Sequence, residues 1–162
     1  MKTALTIGFF DGVHLGHQKI LQRLSELPHS TILTFSNHPR AILHPPAPDL
    51  LIPLDEKLAL LESYADEVIV FPFTPALAST PYDELLSRFD LTHLIFGAGA
   101  LFGKHQGGNE AAVRKYGEER KILVEYIPKL LFQNEPISSS RIRQALAAGN
   151  LTLAQQLLGR KP

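Results

Sequence analysis

The sequence predicts an α/β fold: a doubly wound parallel sheet of five strands with flanking helices. Short apolar runs with the length of strands alternate along the chain with amphipathic runs that have helical spacing. This alternation is typical of βαβ units. Two of the short runs, 31–35 and 68–71, are almost continuously apolar, as expected of parallel strands buried on both faces. Such sheets bind ligands at the carboxyl ends of their strands, where the strand order reverses.

Local patterns locate the individual elements. Apolar runs predict strands at 4–8, 30–35, 67–71, 93–96 and 122–127. Helical periodicity, Pro81 at a first helical turn and Gly149 after a last one predict helices at 15–27, 54–64, 81–89, 110–119, 138–148 and 151–158. Two long loops are predicted, one at 37–53 with five prolines and one at 98–109 that is rich in glycine. Loops of that length often carry function.

Length and composition limit the class of protein. A chain of 162 residues suits one domain. Its 16 basic and 16 acidic side chains balance, so we expect no general nucleic-acid binding. There is no cysteine, which fits a reducing compartment. With neither a signal peptide nor an apolar run long enough to span a membrane, we expect a cytoplasmic protein with no membrane partner.

A turn with two histidines follows the first predicted strand. In FFDGVHLGH, His14 ends the turn and His17 lies in the first turn of the next helix. Unpaired backbone N–H groups and a partial positive charge occupy that helix N-terminus, and Gly16 allows close approach of the backbone to a ligand. Two imidazoles beside such amides suit phosphate oxygens. Two alternatives remain open. The histidines could be an i, i+3 pair of metal ligands, which needs a third ligand, or surface residues beside an ordinary Asp-Gly turn.

A second polar segment lies near the other end of the chain. Ser138, Ser139 and Ser140 precede a helix that carries Arg141 and Arg143. One serine serves as the N-cap by default, but three in succession exceed that need. Hydroxyls with helix N–H groups would hold phosphate, and arginine can bind it through two N–H donors. Since the arginines are two apart on a helix, we expect at most one to face the ligand and the other to be solvated.

The motifs together resemble those of a known family. GFFDGVHLGHQ, TFSNHPR, FGAGALFGKHQGGN, ISSSRIR and the closing AQQLLGR occur in this order over essentially the whole chain. They are similar to the adenylyltransferase module of bacterial FAD synthetases, the bifunctional riboflavin kinase/FMN adenylyltransferases of the nucleotidyltransferase superfamily. The resemblance implies a Rossmann-like domain that transfers AMP from ATP to FMN, giving FAD and pyrophosphate, with Mg²⁺ accompanying ATP.

The resemblance also assigns roles to residues. It implies a catalytic set, consisting of His14, His17 and Arg143. It implies a nucleotide-binding set, consisting of Gly8, Phe9, Phe10, Asp11, Gly16, Ser138, Ser139 and Ser140. It implies a flavin-binding set, consisting of Asn37, His38, Lys104 and Asn109. We expect the histidines to be protonated beside the phosphates, and no residue is expected to be a dedicated metal ligand.

The chain departs from the family pattern in two respects. Where the family has G-x-D-F-x-F-G, this chain has GAGALFG, with Gly99 and Ala100 at the polar and aromatic positions. Transfer to another phosphorylated acceptor, or a nucleotide-binding module without catalysis, therefore remain alternatives. The family also continues into a riboflavin kinase domain. We expect a nucleotidyltransferase domain at 1–150 and, at 151–162, a helix and linker toward such a kinase domain, in the same or another chain.

Overall fold

A five-stranded, all-parallel sheet forms the centre of the molecule in a computed structural model that describes residues 2–162. Its strands are β1 (Thr3–Ile7), β2 (Ser30–Phe35), β3 (Glu67–Phe71), β4 (Leu91–Gly97) and β5 (Leu123–Ile127). Their order across the sheet is β3-β2-β1-β4-β5. The predicted doubly wound α/β fold is confirmed, with strand ends that differ from the predicted ones by at most two residues.

The strand order positions the ligand site. From β1 the chain proceeds outward through β2 and β3, then returns to the other side of β1 through β4 and β5. The order therefore reverses between β1 and β4, which pair in parallel with Leu5 opposite Leu94. Loops that leave these two strands diverge to opposite faces and open a crevice at the carboxyl edge. The histidine turn follows β1 and the glycine-rich loop follows β4.

Alternate residues of the central strands point to opposite faces, as the two-residue repeat of a strand requires. Ala4 is buried with Leu21 and Leu24 on one face, whereas Leu5 is buried with Val113 on the other. The helices are α1 (Leu15–Ser25), α2 (Arg40–Leu43), α3 (Leu54–Glu62), α4 (Pro75–Ala78), α5 (Tyr82–Ser87), α6 (Glu110–Arg120), α7 (Ser139–Ala147) and α8 (Leu151–Leu158). None of those in residues 2–162 is long and apolar enough to cross a bilayer.

Several short elements were absent from the sequence prediction. The loop at 37–53 contains α2, which is preceded by Pro39, and α4 follows β3 and is preceded by Thr74. Both helices are single turns, too short to show an apolar stripe in the sequence. A small hairpin joins β6 (Leu131–Phe132) to β7 (Glu135–Pro136). Its turn residues Gln133 and Asn134 have φ of 53° and 63°. Such values are typical of a tight hairpin turn, which in most sequences can be predicted from a glycine.

The last two helices form a cluster of their own beside the sheet. Ile142 of α7 and Leu157 of α8 are completely buried in it. The amide of Gln18, on α1, donates to the carbonyl of Leu158 at 3.0 Å, which joins this cluster to the histidine helix. The segment 151–162 therefore packs on the rest of the chain; the predicted domain boundary at residue 150 stays a prediction.

Leu157→Ala should lower the free energy of unfolding by about 3 kcal/mol, because it leaves a cavity in a fully packed cluster. The exposed Leu151, on the same helix, is the matched control, and Leu151→Ala should cost ~0.5 kcal/mol or less. Urea unfolding followed by circular dichroism measures both. Equal effects of the two variants would show that α8 contributes no stability through its buried face.

Candidate active site at the carboxyl edge of the sheet

The turn between β1 and α1 has an unusual backbone. Phe10, Gly12 and Val13 have φ of 57°, 83° and 42°, and only glycine adopts such values without steric cost. Phe10 and Val13 are nevertheless buried in the core, so side-chain packing holds the strained turn. A side chain at Gly8 would collide with the Phe10 ring at 2.9 Å. The turn thus carries the chain sharply from β1 to the N-terminus of α1.

His14 is the N-cap of α1. Its Nδ1 accepts a hydrogen bond from the backbone N–H of His17 at 3.2 Å. The neutral ring then carries its proton on Nε2, which is left as a donor. Burial lowers the pKa of His14 to about 4, with a smaller contribution from the positive charge of Arg160. A side chain at Gly16 would press on the His14 ring at 3.0 Å, so glycine is required there for packing as well.

His17 stacks on His14, with ring centroids 3.6 Å apart and planes 16° from parallel. Its Nδ1 is buried and has no hydrogen-bond partner among residues 2–162. Burial, followed by the positive charges of His14 and Lys57, holds the pKa of His17 well below its usual value. Both imidazoles are therefore neutral near pH 7 in the free protein. The protonated state expected from the sequence requires phosphates nearby.

The serine segment meets the histidine turn. Ser138 caps α7 by accepting from the N–H of Arg141 at 3.1 Å, and the Ser139 hydroxyl donates to the carbonyl of Asp11 at 2.9 Å. A cavity of about 310 Å³ lies between the two segments. Its polar lining comes from His14, His17, Lys129, Ser138 and Ser139. The two halves predicted from the sequence thus form one site, whereas Ser140 is exposed and lies outside the lining.

The two arginines of α7 have different roles. Arg143 pairs with the buried carboxylate of Asp11 and donates from Nε to the carbonyl of Asp49 at 2.9 Å. Arg141 donates from Nη1 to the carbonyls of Phe132 and Glu135 at 3.0 and 2.9 Å, which holds the β6–β7 hairpin. The prediction that one arginine is solvated was wrong, because Arg141 satisfies carbonyls of a hairpin that the sequence did not reveal.

Two further cavities continue from the first one along the carboxyl edge. One of about 290 Å³ shares His17 and Gly97 with the first cavity and is also lined by Gly8, Phe9 and Phe10. The other, of about 170 Å³, shares Gly8 and Phe9 with it. The lining of this last cavity is mostly apolar and includes Phe35, Phe73, Leu77, Leu101 and Phe102. The cleft therefore has a polar end at the histidines and an apolar end beyond Phe9.

The residues predicted for the flavin side occupy several places. Asn37 is bonded twice to the backbone of Phe73, at 2.7 and 3.0 Å, and Asn109 is the N-cap of α6. His38 packs edge-on against Phe9 with ring centroids 4.8 Å apart. Lys104 lines a groove beside α2 and α4 that shares Leu43 and Gly103 with the apolar cavity, whose own lining does not include Lys104. The structure thus brings only His38 to the cleft wall through a ring contact, and flavin contacts for all four stay predictions.

Sequence reasoning missed Lys57. It lies on α3 among Leu54, Leu58 and Leu61, on the stripe that faces the core, and is only 3% exposed. Its Nζ donates to the carbonyls of Phe9 and Phe35, and burial lowers its pKa to about 8, partly offset by Asp11. A lysine at an apolar position of a helical stripe was the available signal, because such a residue needs buried partners.

Sheet order, helix N-termini and cleft define a Rossmann-like α/β domain of the kind that binds nucleotides at its carboxyl edge. The model of the FAD synthetase family matches residues 1–141. A relative named FAD synthetase, from Listeria monocytogenes, is 34% identical over 166 residues, covering 96% of this chain and 68% of that protein. The chain belongs to the FAD synthetase family.

Longer proteins contain the same domain. A bifunctional riboflavin kinase/FMN adenylyltransferase from Bacillus subtilis is 31% identical over 98% of this chain. The chain spans 54% of that protein's length. A crystal structure described as a macrolide-efflux protein from Streptococcus pneumoniae superposes with a TM-score of 0.83 at 26% identity, covering 99% of this chain and 57% of that one.

Lowering the pH from 7 to about 4.5 should destabilise the fold through His14. Its folded pKa of about 4 lies below the ordinary value of 6.5, so in this window the unfolded chain binds a proton that the folded chain does not. The contribution of neutral His14 to the free energy of unfolding is complete above pH 6.5. It decreases as the pH drops, by on the order of 3 kcal/mol in total. Urea unfolding at pH 7, 6 and 5 measures the slope.

The matched variant is His14→Asn, which keeps an oxygen acceptor for the helix cap and cannot titrate. It should show a shallower loss of stability with falling pH than the unaltered chain. His44→Asn, at an exposed histidine, should keep the original slope. Identical slopes for His14→Asn and the unaltered chain would contradict a neutral, buried His14.

Proposed function

We propose that this chain is an FMN adenylyltransferase, which transfers AMP from ATP to FMN and gives FAD and pyrophosphate. One observation carries the proposal: two imidazoles, two serine hydroxyls and the N-termini of α1 and α7 converge on one cavity. Helix N-termini with polar donors bind phosphate. Membership of the FAD synthetase family and the names of the relatives supply the two substrates.

In the proposed reaction, a 5′-phosphate oxygen of FMN attacks the α-phosphorus of ATP. A new P–O–P bridge forms, the bond from the α-phosphorus to the β-phosphate bridging oxygen breaks, and pyrophosphate leaves. No covalent bond to the protein is needed, so positioning and charge stabilisation supply the catalysis. His14 would donate from Nε2–H, since its Nδ1 is occupied by the helix N–H.

The buried Nδ1 of His17 supports its catalytic role. A polar atom without a partner in the folded chain costs free energy that binding or protonation can recover. The negative charge of bound phosphates raises the proton affinity of both rings. We propose that the histidines gain proton density as the triphosphate binds and stabilise the charge that develops on the leaving pyrophosphate.

Arg143 is proposed to bind the β- and γ-phosphates together with the serines. In the free chain it is paired with Asp11, so a phosphate contact requires exchange of one anionic partner for another. Arginine suits this exchange because its planar fork matches carboxylate and phosphate alike. Ser138 and Ser139 already line the cavity, while Ser140 would have to reach from an exposed position.

Mg²⁺ is proposed to accompany ATP. This ion keeps much of its water and binds through phosphate oxygens with one or two carboxylates. Within residues 2–162 there is no group of three His, Asp or Glu side chains suited to a metal. The hydroxyls of Ser138 and Ser139 and the carboxylate of Asp11 are the oxygen groups nearby. When bound, the ion would neutralise phosphate charge.

A riboflavin kinase domain is proposed as the partner that supplies FMN. The Bacillus subtilis relative carries both activities in its name, and this chain spans 54% of it. Phosphorylation of riboflavin must precede adenylylation, because the attacking group is the phosphate of FMN. The proposal does not depend on whether that domain belongs to the same chain.

Transfer to a different phosphorylated acceptor is the second candidate. It is favoured by the loop after β4, where Gly99 has φ of 82° and no side chain, and Ala100 packs into the core. This loop offers no polar side chain at either position to an isoalloxazine ring. Competition between FMN and other phosphorylated acceptors for ATP-dependent pyrophosphate release separates the two candidates.

The decisive experiment is incubation of the purified chain with ATP, Mg²⁺ and FMN, with FAD and pyrophosphate measured by chromatography. Equimolar formation of both products is the expected result. A folded chain that binds ATP and releases no pyrophosphate would instead support a nucleotide-binding module without catalysis. Pyrophosphate release with another acceptor and not with FMN would support the second candidate.

His17→Ala should lower kcat for FAD formation by about 100-fold or more, the typical loss when one donor to a developing charge is removed. The melting temperature should change little, since the variant also removes a buried nitrogen that lacks a partner. His44→Ala, at an exposed histidine, is the control and should keep full turnover. Unchanged kcat in His17→Ala would refute the catalytic role.

A further inference from the structure

Lys57 is the only lysine in residues 2–162 whose side chain is buried. Burying an ammonium group is costly unless the group finds partners, and an apolar side chain at this position of α3 would pack on Leu61 and Leu54 without that cost. The Nζ of Lys57 makes three contacts that offset this cost, and two of them are with Phe9.

The first two contacts join neighbouring strands. Nζ donates to the carbonyl of Phe9, just beyond β1, at 3.0 Å and to the carbonyl of Phe35, the last residue of β2, at 2.8 Å. The Phe9 carbonyl also accepts from the hydroxyl of Thr34 at 3.0 Å. This carbonyl thus has two donors, and loss of the lysine alone leaves it with a partner.

The third contact concerns the Phe9 ring. Nζ lies 3.8 Å from the ring centroid, close enough for a cation–π interaction, which is strongest where the cation is shielded from water. His38 meets the same ring edge-on at 4.8 Å. The Phe9 ring is therefore held by the ammonium of Lys57 and by the imidazole of His38.

Phe9 lies where two cavities of the cleft meet. It lines both the cavity of about 290 Å³ that contains His17 and the apolar cavity of about 170 Å³ beyond it. Phe9 is therefore part of a wall that the two cavities share. A flat aromatic acceptor whose phosphate lies near the histidines would extend past this wall, and aromatic rings bind best to rings that are already fixed in orientation.

We propose that Lys57 is a positioning residue that fixes the Phe9 ring as a wall of the acceptor side, and so sets the affinity for the aromatic part of the acceptor. This inference rests on the proposed function. It adds Lys57 to the residues of the site and assigns the apolar end of the cleft to the aromatic part of the acceptor. Lys57 does not touch the reacting atoms. Its largest effect should fall on acceptor binding. Its charge contributes to the lowered pKa of His17 less than burial and the charge of His14 do, so the ATP side and the chemical step should change much less.

Lys57→Met tests the inference, because methionine keeps the volume and removes the charge. We expect the KM for FMN to rise about tenfold, while kcat and the KM for ATP stay within about twofold. A lysine that merely supports the fold would change the melting temperature and lower the active fraction, without this selective effect on one substrate. Direct binding of FMN, followed by its own fluorescence polarisation, should weaken by the same factor.

Two matched controls isolate the ring contact. Thr34→Val removes the other donor to the Phe9 carbonyl and leaves the ring contact intact, so the KM for FMN should stay within about twofold. Lys115→Met removes an exposed lysine and should also leave it unchanged. A rise in Thr34→Val equal to that in Lys57→Met would overturn the inference, since the carbonyl would then be the group that matters.

A double variant tests the route through Phe9. If Lys57 acts on the acceptor by way of the ring, Lys57→Met should add no further rise in the KM for FMN, or in its dissociation constant, once Phe9→Leu is present. Fully additive effects would overturn the inference. FAD formation with no selective effect of Lys57→Met would overturn the inference alone. Failure of the unaltered chain to bind FMN and to form FAD would overturn the proposed function and the inference with it.

Discussion

The turn from β1 to α1 has to hold an unfavourable backbone at the edge of the proposed binding cleft. Phe10 and Val13 have positive φ without being glycine, a conformation that persists only when surrounding structure enforces it. The enforcement comes from distant parts of the chain. Ser139 donates to the carbonyl of Asp11, and Lys57 to that of Phe9. Arg160 donates to the carbonyl of Val13 at 3.1 Å. Helices α3 and α7 and the end of the chain thus determine the shape of this one turn.

The charges around the turn prepare it for an anion. Two buried imidazoles with lowered pKa lie beside Lys57 and Arg160, and each of these cations opposes protonation of one ring. Asp11 is the carboxylate that partly balances the charge of Lys57, and it is itself paired with Arg143. Positive groups and helix N-termini are in excess at this site, so they repel one another when no anion is bound. The proposed triphosphate substrate would relieve this repulsion on binding, so its charge complements the electrostatics of the free chain.

A single cleft combines two chemically different ends because of the strand order. At the switch point between β1 and β4, loops diverge to both faces. The polar cavity lies on the side of α7, with its hydroxyls, and the apolar cavity lies against Phe35 and Phe102. Phe9 stands between them because it follows β1, the central strand. The position of one strand in the sheet therefore places the polar cavity, proposed to bind phosphate, in line with the apolar cavity, proposed to receive an aromatic group.

The sequence by itself determined the elements and the two halves of the site. Strand and helix periods are local properties, so the five parallel strands and the long helices followed from them, and so did the helix N-termini beside His14 and Ser138. Only the tertiary structure decided which distant residues meet. The contact between Ser139 and Asp11 joins residues 128 positions apart, and Lys57 reaches Phe9 across 48. Such contacts depend on strand order and crossover direction, which no local pattern encodes.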